Sequence, residues 1–399
     1  MSHYLQQLGT ALLCLLLLAG CRAQEPAVVS PQPEPTLPTS APAEPQIPDP
    51  VPEPESDSDT QPETPEETTV SITISAVGDV TLGTNQKTSY EGSFHDYYDR
   101  YGPEYFLQNV RSIFEADDFT VVNLEGTLTN STNAMEKRWN HKGKPEYIDI
   151  LSCSSVEAVT LGNNHIMDYM QEGADDTMAA VEGVGIEYAL SGEWGNRYGM
   201  FETKGIKIGF VSVNENYDGD AVYPWLEDGL RTLREQGADI VIACPHWGDG
   251  KTHSETQPQY EMGKWCIDQG YDLVVGCHPH VLQGIERYKG RYIVYSMGNF
   301  CYGGNKNPEE KDSMIFQQTF TFTNGELVCN PEDIRVLPCR LSSVTHKNDY
   351  CPVLLTGKEA EQTISNLNCY SEEFGTVFDA DGYLVEFHDI GTESDISAP

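Results

Sequence analysis

Six side chains in this sequence have the chemistry of metal ligands and the spacing to be brought together: Asp79, Glu125, Asn164, His246, His278 and His280. Carboxylate, amide oxygen and imidazole nitrogen form a mixed set suited to Zn, Mn or Fe at a binuclear hydrolytic site. Two such ions stand about 3.5–4 Å apart and need a bridging carboxylate, which an Asp or Glu at a strand end supplies. His278 and His280, two residues apart, can face different ions across one turn. Each residue alone has a plainer reading, because a lone His near a strand end is usually a structural hydrogen-bonder and Gly-Asp is usually a turn. The set rises above those readings because its members follow five successive apolar runs.

The first run, Ser71 to Val77, alternates apolar and polar residues as a strand does and ends in Gly78-Asp79. A helix is expected over 103–114, then a strand over 119–123 that leads into Leu124-Glu125-Gly126. Val156 to Leu161 ends in Gly162-Asn163-Asn164-His165, and a helix near 171–182 precedes a strand near 206–213. The run over 238–244 leads to Pro245-His246-Trp247-Gly248, and 271–276 leads to Cys277-His278-Pro279-His280. Polar groups just beyond the carboxyl ends of strands are where open α/β sheets place ligands. Later segments around 284–288, 291–296, 314–322 and 326–337 read as hairpin strands forming a second sheet against the first. The expected fold class is therefore α/β, a β-sandwich flanked by α-helices.

At these residues a family resemblance becomes specific. Ala76-Val77-Gly78-Asp79, Val122-Asn123-Leu124-Glu125-Gly126, Leu161-Gly162-Asn163-Asn164-His165, His246-Trp247-Gly248, Gly276-Cys277-His278-Pro279-His280 and Tyr295-Ser296-Met297-Gly298-Asn299-Phe300 resemble, in order, the motifs of the CapA family. These are poly-γ-glutamate capsule synthesis proteins, related in fold to the calcineurin-like metallophosphoesterases. The resemblance implies two divalent ions: one on Asp79, Glu125 and His280, the second on Glu125, Asn164, His246 and His278. It also implies that His165 protonates a leaving group, with Asp168 placed to orient it; a carboxylate at a helix N-terminus is the alternative account of Asp168. Three departures stand out. Thr81 occupies the place where phosphoesterases usually carry a His two residues after the first Asp. Leu124-Glu125 replaces their second Gly-Asp. Gly250, preceded by Asp249, stands where CapA-type sequences often have Glu after His-Trp-Gly.

Substrate contacts are expected from Lys142 and Lys144, in a local basic stretch that begins at Lys137 and Arg138, and from Asn299, which is placed to hydrogen-bond a ligand-bearing loop. A solvated loop is the default for the basic stretch. The chain as a whole is strongly acidic, with a net charge of -38 from 62 acidic against 24 basic residues, which disfavours nucleic acid as a partner. For an anionic ligand, attraction then has to come from bound cations.

Upstream of the site, Leu8 to Leu18 is apolar but too short to span a bilayer of about 30 Å. It runs into Leu18-Ala19-Gly20-Cys21, which resembles a bacterial lipobox and makes Cys21 the lipidation site after a leader over 1–21. No Lys or Arg precedes Leu8, so an ordinary cleaved signal or an uncleaved anchor is the alternative. Residues 22–69 are rich in Pro, Glu, Asp, Ser and Thr and read as a disordered acidic tether that lifts the domain from the membrane. The catalytic-type domain is expected over 70–345, with 346–399 as a C-terminal extension. Nine cysteines follow residue 150, an odd number without a CxxC pair, which disfavours a zinc ribbon; any disulfides are expected to concentrate among Cys329, Cys339, Cys351 and Cys369.

The function expected is that of a cell-surface, lipid-anchored member of the CapA family working in poly-γ-glutamate synthesis, export or processing as a metal-dependent hydrolase of amide or phosphoester bonds. The alternatives are a polymer-binding factor of a membrane capsule-synthesis complex that turns nothing over, and a broad metallophosphatase.

Overall fold

The computed structural model describes residues 67–192, 195–328 and 333–387. The leader, Cys21 and the acidic tether up to residue 66 lie outside them, as does Cys329. Among the described residues no helix is long and apolar enough to cross a membrane.

The chain is α/β, with two mixed sheets packed face to face and helices on both outer sides. The first sheet is built on β1 (Thr69–Thr81), joined in parallel by β2 (Phe119–Leu124), β3 (Ala158–Thr160) and β4 (Glu187–Ala189). The second holds β5 (Tyr198–Thr203), β6 (Ile206–Asn214), β7 (Ile240–His246), β8 (Leu273–Val275), β9 (Ile285–Tyr288) and β10 (Arg291–Val294), with β6, β7, β8 and β10 parallel. The last strands do not form the second sheet by themselves. The β9–β10 hairpin extends the sheet begun by β6 to β8, whereas β12 (Asp312–Thr323) returns antiparallel along the free edge of β1 and β13 (Ile334–Arg340) pairs antiparallel with β12. Between them, β11 (Asn299–Tyr302) pairs in parallel with the end of β1, setting Asn299 opposite Asp79.

Strand alternation explains the layers. On β1, Ile72, Ile74 and Ala76 point into the core between the sheets with Phe119, Phe210, Ile242 and Phe316, while Val77 and Val80 face the helical layer. That outer layer includes α1 (Phe94–Tyr101), through Phe94 and Tyr97, and α2 (Met170–Gly183), through Ala174 and Val181. Beyond the second sheet, α3 (Val222–Glu235) buries Val222, Leu226 and Leu233, and α4 (Gln257–Gln269) buries Met262 and Cys266. The helix expected over 103–114 is broken: Pro103 opens a 3-10 turn closed by Phe106, Val110 leaves the helical region, and helix resumes over Arg111–Phe114. Past residue 345, Val353–Leu354 adds to β13, and α5 (Gly357–Tyr370) buries Ala360, Ile364 and Leu367, the last two in the inter-sheet core.

All eight described cysteines are unpaired. Cys339 and Cys351, from the group expected to carry disulfides, are buried on different contacts, Cys339 in β13 and Cys351 against the Tyr105 carbonyl, while Cys369 is exposed on α5.

Candidate metal centre

Close backbone approach sets the first ligand. The Asp79 N–H donates to the Gly298 carbonyl at 2.9 Å, and a Cβ on Gly78 would lie 1.9 Å from that same oxygen, so only glycine fits before Asp79. Glu125 stands just past β2, its N–H bonded to Val80 O at 2.9 Å. His246 ends β7, and the next residue, Trp247, is fully buried with its indole N–H on Tyr295 O at 2.9 Å, which anchors the loop behind the ligand. His278 and His280 follow β8 with φ of 103° and 60°. Left-handed backbone at two non-glycine residues costs on the order of 1–3 kcal/mol each and persists where the surroundings enforce it, commonly at functional sites.

The structure gathers all six candidate ligands around Glu125. Its Oε1 is buried, has no hydrogen-bond partner among the described residues, and lies 3.7 Å from His280 Nε2, 3.9 Å from His246 Nε2 and 3.9 Å from His165 Nε2. On one side, His280 Nδ1 is 3.0 Å from Asp79 Oδ2, a second buried oxygen left without a hydrogen bond because the pair is close but poorly aligned. On the other, His246 Nε2 is 3.0 Å from both Asn164 Oδ1 and His278 Nδ1. Ligand atoms of Glu125, His278 and His280 come within 4.8 Å of one another. Ligands at 2.0–2.2 Å from one ion stand roughly 3–4 Å apart, so two orphaned carboxylate oxygens among converging imidazole nitrogens fit divalent cations.

The electrostatics agree with that fit. Burial pushes the Glu125 carboxyl up to about 8, and the neighbouring Asp79 carboxylate adds to the shift. Burial also lowers His246 well below the imidazole range and His278 to about 4, each with further lowering from neighbouring imidazoles, so both are neutral and ligand-competent. For His280 burial acts in the same direction but is outweighed by the Glu125 and Asp79 carboxylates, which raise it to about 9. The cluster thus holds protons where a cation would replace them.

Beside it stands a second arm. His165 Nδ1 is 2.7 Å from Asp168 Oδ2, an acceptor that also takes the His141 N–H at 2.5 Å, while the Lys137 ammonium pairs with Asp168 Oδ1. The Nε2 of His165 is thereby turned toward Glu125. Burial, then the Lys137 ammonium, holds His165 well below the imidazole range.

Of the expected substrate contacts, Asn299 is engaged with a ligand: its Oδ1 is 3.0 Å from His280 Nδ1 and its Nδ2 donates to His280 O at 3.0 Å. Lys142 donates to Ser131 O at 2.7 Å and lies over the Tyr169 ring, and Lys144 is 3.5 Å from Asp99 and 3.7 Å from Glu146, so neither ammonium is engaged at the ligand cluster. Thr81 donates to Glu125 Oε2 at 3.4 Å. Asn123 was missed: its amide donates to Asp79 Oδ1 at 2.7 Å and lies 3.3 Å from His246 Nδ1, tying the two halves of the cluster together.

Residues 73–303 match the family model described as Bacterial capsule synthesis protein PGA_cap. The capsule biosynthesis protein CapA of Bacillus anthracis is 24% identical over 268 residues, 62% of this chain and 63% of that protein. The PGA biosynthesis protein CapA of Bacillus subtilis is 28% identical over 286 residues, 66% of this chain and 72% of that one. The chain thus spans somewhat less than two thirds of the Bacillus anthracis relative. A solved phosphatase from Mycoplasma pneumoniae is similar over 71% of this chain and 97% of its own, at 14% identity and a TM-score of 0.44.

Proposed function

We propose, for a chain that belongs to the bacterial capsule synthesis protein family, a metal-dependent hydrolase that processes poly-γ-glutamate or a related anionic wall polymer. Its relatives are named for capsule and PGA biosynthesis, and its general role lies in that process. The observation that carries the hydrolytic reading is the buried, unpartnered Glu125 Oε1 among three imidazole Nε2 atoms at 3.7–3.9 Å.

Asp79, Glu125 and His280 would hold one divalent ion and Glu125, Asn164, His246 and His278 a second. When bound, such a pair supplies Lewis acidity and a water activated near neutral pH. The remaining steps fall to this chain. Asp168, held by Lys137 and the His141 N–H, fixes the His165 ring and offsets its charge when it is protonated. His165 would take up at Nε2 the proton released by the attacking water and pass it to the leaving group. Asn299 and Asn123 are positioning residues for His280, Asp79 and His246.

The acidic tether and a lipidated Cys21 would place the domain outside the membrane, within reach of a membrane capsule-synthesis complex. A non-catalytic assembly role is the second reading, favoured by Thr81, whose neutral hydroxyl bonds Glu125 at a position where phosphoesterases usually carry an imidazole.

Metal content and turnover of poly-γ-glutamate and of 4-nitrophenyl phosphate, in wild type and His165→Ala, separate these. We expect stoichiometric metal in both proteins and a polymer-cleavage rate lowered roughly 10²–10⁴-fold by the substitution. Absence of metal overturns the proposal. Metal and polymer binding without turnover selects the assembly role, and cleavage of the phosphoester alone selects a broad phosphatase.

A further inference from the structure

A cavity of about 520 Å³ adjoins the centre, sharing Asn164 with the ligand cluster and Lys137 with the His165–Asp168 arm. Its walls are mostly apolar, with Met135, Ile166, Met167, Met170, Leu190 and Trp225 arriving from separate segments. The volume lies in the range of pockets that take drug-sized ligands and has room for a ring-bearing residue with its flanking amide groups, and methionine walls adapt to irregular apolar shapes.

The charge lining this cavity is wrong for a run of glutamates. Among the described lining residues only Lys137 and Asp218 are charged. The Lys137 ammonium already pairs with Asp168 and donates to Asn164 O at 2.9 Å. Asp218 accepts from the Ser191 hydroxyl at 2.8 Å. A carboxylate entering here would leave water and find no unengaged side-chain cation among the described lining residues.

We infer that the substrate group seated beside the centre is preferentially uncharged and largely apolar, as an apolar aminoacyl or arylamide unit is, so that cleavage is fastest where the anionic polymer joins such a unit. The inference rests on the hydrolytic reading for where the bond lies, but the binding preference stands apart from turnover. Glutamyl carboxylates would extend away from the cavity, and discrimination would come from the methionine and Trp225 walls.

Calorimetric titration of the full chain in excess chelator, with γ-glutamylphenylalaninamide and γ-glutamylglutamate as probes, tests this without any reaction. We expect the amide to bind at least tenfold more tightly. Trp225→Ala, which takes the ring out of the apolar wall, should remove most of that preference. Gln171→Lys, an exposed change at the cavity rim, should narrow the preference by strengthening γ-glutamylglutamate, which keeps the test informative if Trp225→Ala folds poorly. Equal affinities, tighter binding of γ-glutamylglutamate, no binding of either probe at millimolar concentration, or a preference indifferent to the variants overturns the inference. A preference for the amide in a protein that shows no turnover sinks the hydrolytic reading and leaves the binding site standing.

Discussion

Replacing Glu125 by Gln should move stability in opposite directions with and without divalent metal. In the metal-free protein Glu125 Oε1 is fully buried and unpartnered, and the carboxyl is pushed up to about 8, chiefly by burial. A buried unsatisfied acceptor costs about 1–3 kcal/mol, and more when charged. Gln keeps the shape and the Thr81 hydroxyl contact, carries no charge, and offers an N–H₂ to imidazole nitrogens 3.7–3.9 Å from the present oxygen, while Asp79 Oδ2, 3.0 Å from His280 Nδ1, stays as the carboxylate partner of His280. We therefore expect Glu125→Gln in chelator to be more stable than wild type by about 1–3 kcal/mol. With metal the order reverses. Wild type gains about 4.1 kcal/mol at a free metal concentration about 1,000 times Kd, more than the whole advantage of the variant in chelator, whereas the variant has lost the shared carboxylate and gains little. Urea unfolding at pH 7 in chelator and in graded Zn or Mn, followed by circular dichroism, reads both signs. A variant less stable than wild type in chelator, or a wild type whose midpoint ignores both metals, would refute the assignment of Oε1 as a ligand held ready for a cation.

Asn299→Ala should lower metal affinity roughly 10–100-fold, read by competition with a chromophoric chelator, because His280 loses the partner on its Nδ1 and on its carbonyl. Its stability in chelator should fall by no more than about 1–2 kcal/mol. Away from the centre, Glu157 and Asp117 are raised to about 7 and about 6, in both cases chiefly by burial. Their folded values lie above the ordinary carboxylate range, so the folded state holds protons that the unfolded state has released, and stability falls as pH rises from about 4 to about 7. Glu157→Gln, whose side-chain oxygen can still accept the Thr120 N–H now bonded at 2.8 Å, should flatten that fall in the melting temperature of the metal-free protein. An unchanged pH slope would show that Glu157 is not a source of it.

The residues gathered at the centre were legible because each follows an apolar run, and parallel strands deliver their carboxyl ends to one edge of a sheet. Asn123 was not legible. It lies inside β2, where an Asn in an apolar run looks like an interruption, and its role depends on β1 and β7 flanking it in space. The basic stretch misled for a similar reason: Lys137 turns in to Asp168, while Lys142 and Lys144 find Ser131 and Asp99, choices made by loop packing that charge alone does not encode. The pairing of β12 with β1, and of β13 with β12, was hidden because hairpin strands carry the same alternation whichever sheet they join. The cavity was invisible in sequence, since its walls come from segments between Met135 and Trp225 that share no motif.

The unpaired cysteines make the two halves of the sandwich separately observable. Cys244, Cys266 and Cys277 belong to the second sheet and its helix, while Cys301, Cys339 and Cys351 belong to the first sheet and the chain packed on it; all six are buried, and burial pushes their thiols up, so they stay protonated and shielded. A thiol-trapping reagent reaches them only when the surrounding structure opens, whereas exposed Cys369 reports the reagent's unhindered rate. The protein therefore carries two native clocks, one in each half. Comparing their labelling with and without metal would tell which half the cation holds shut.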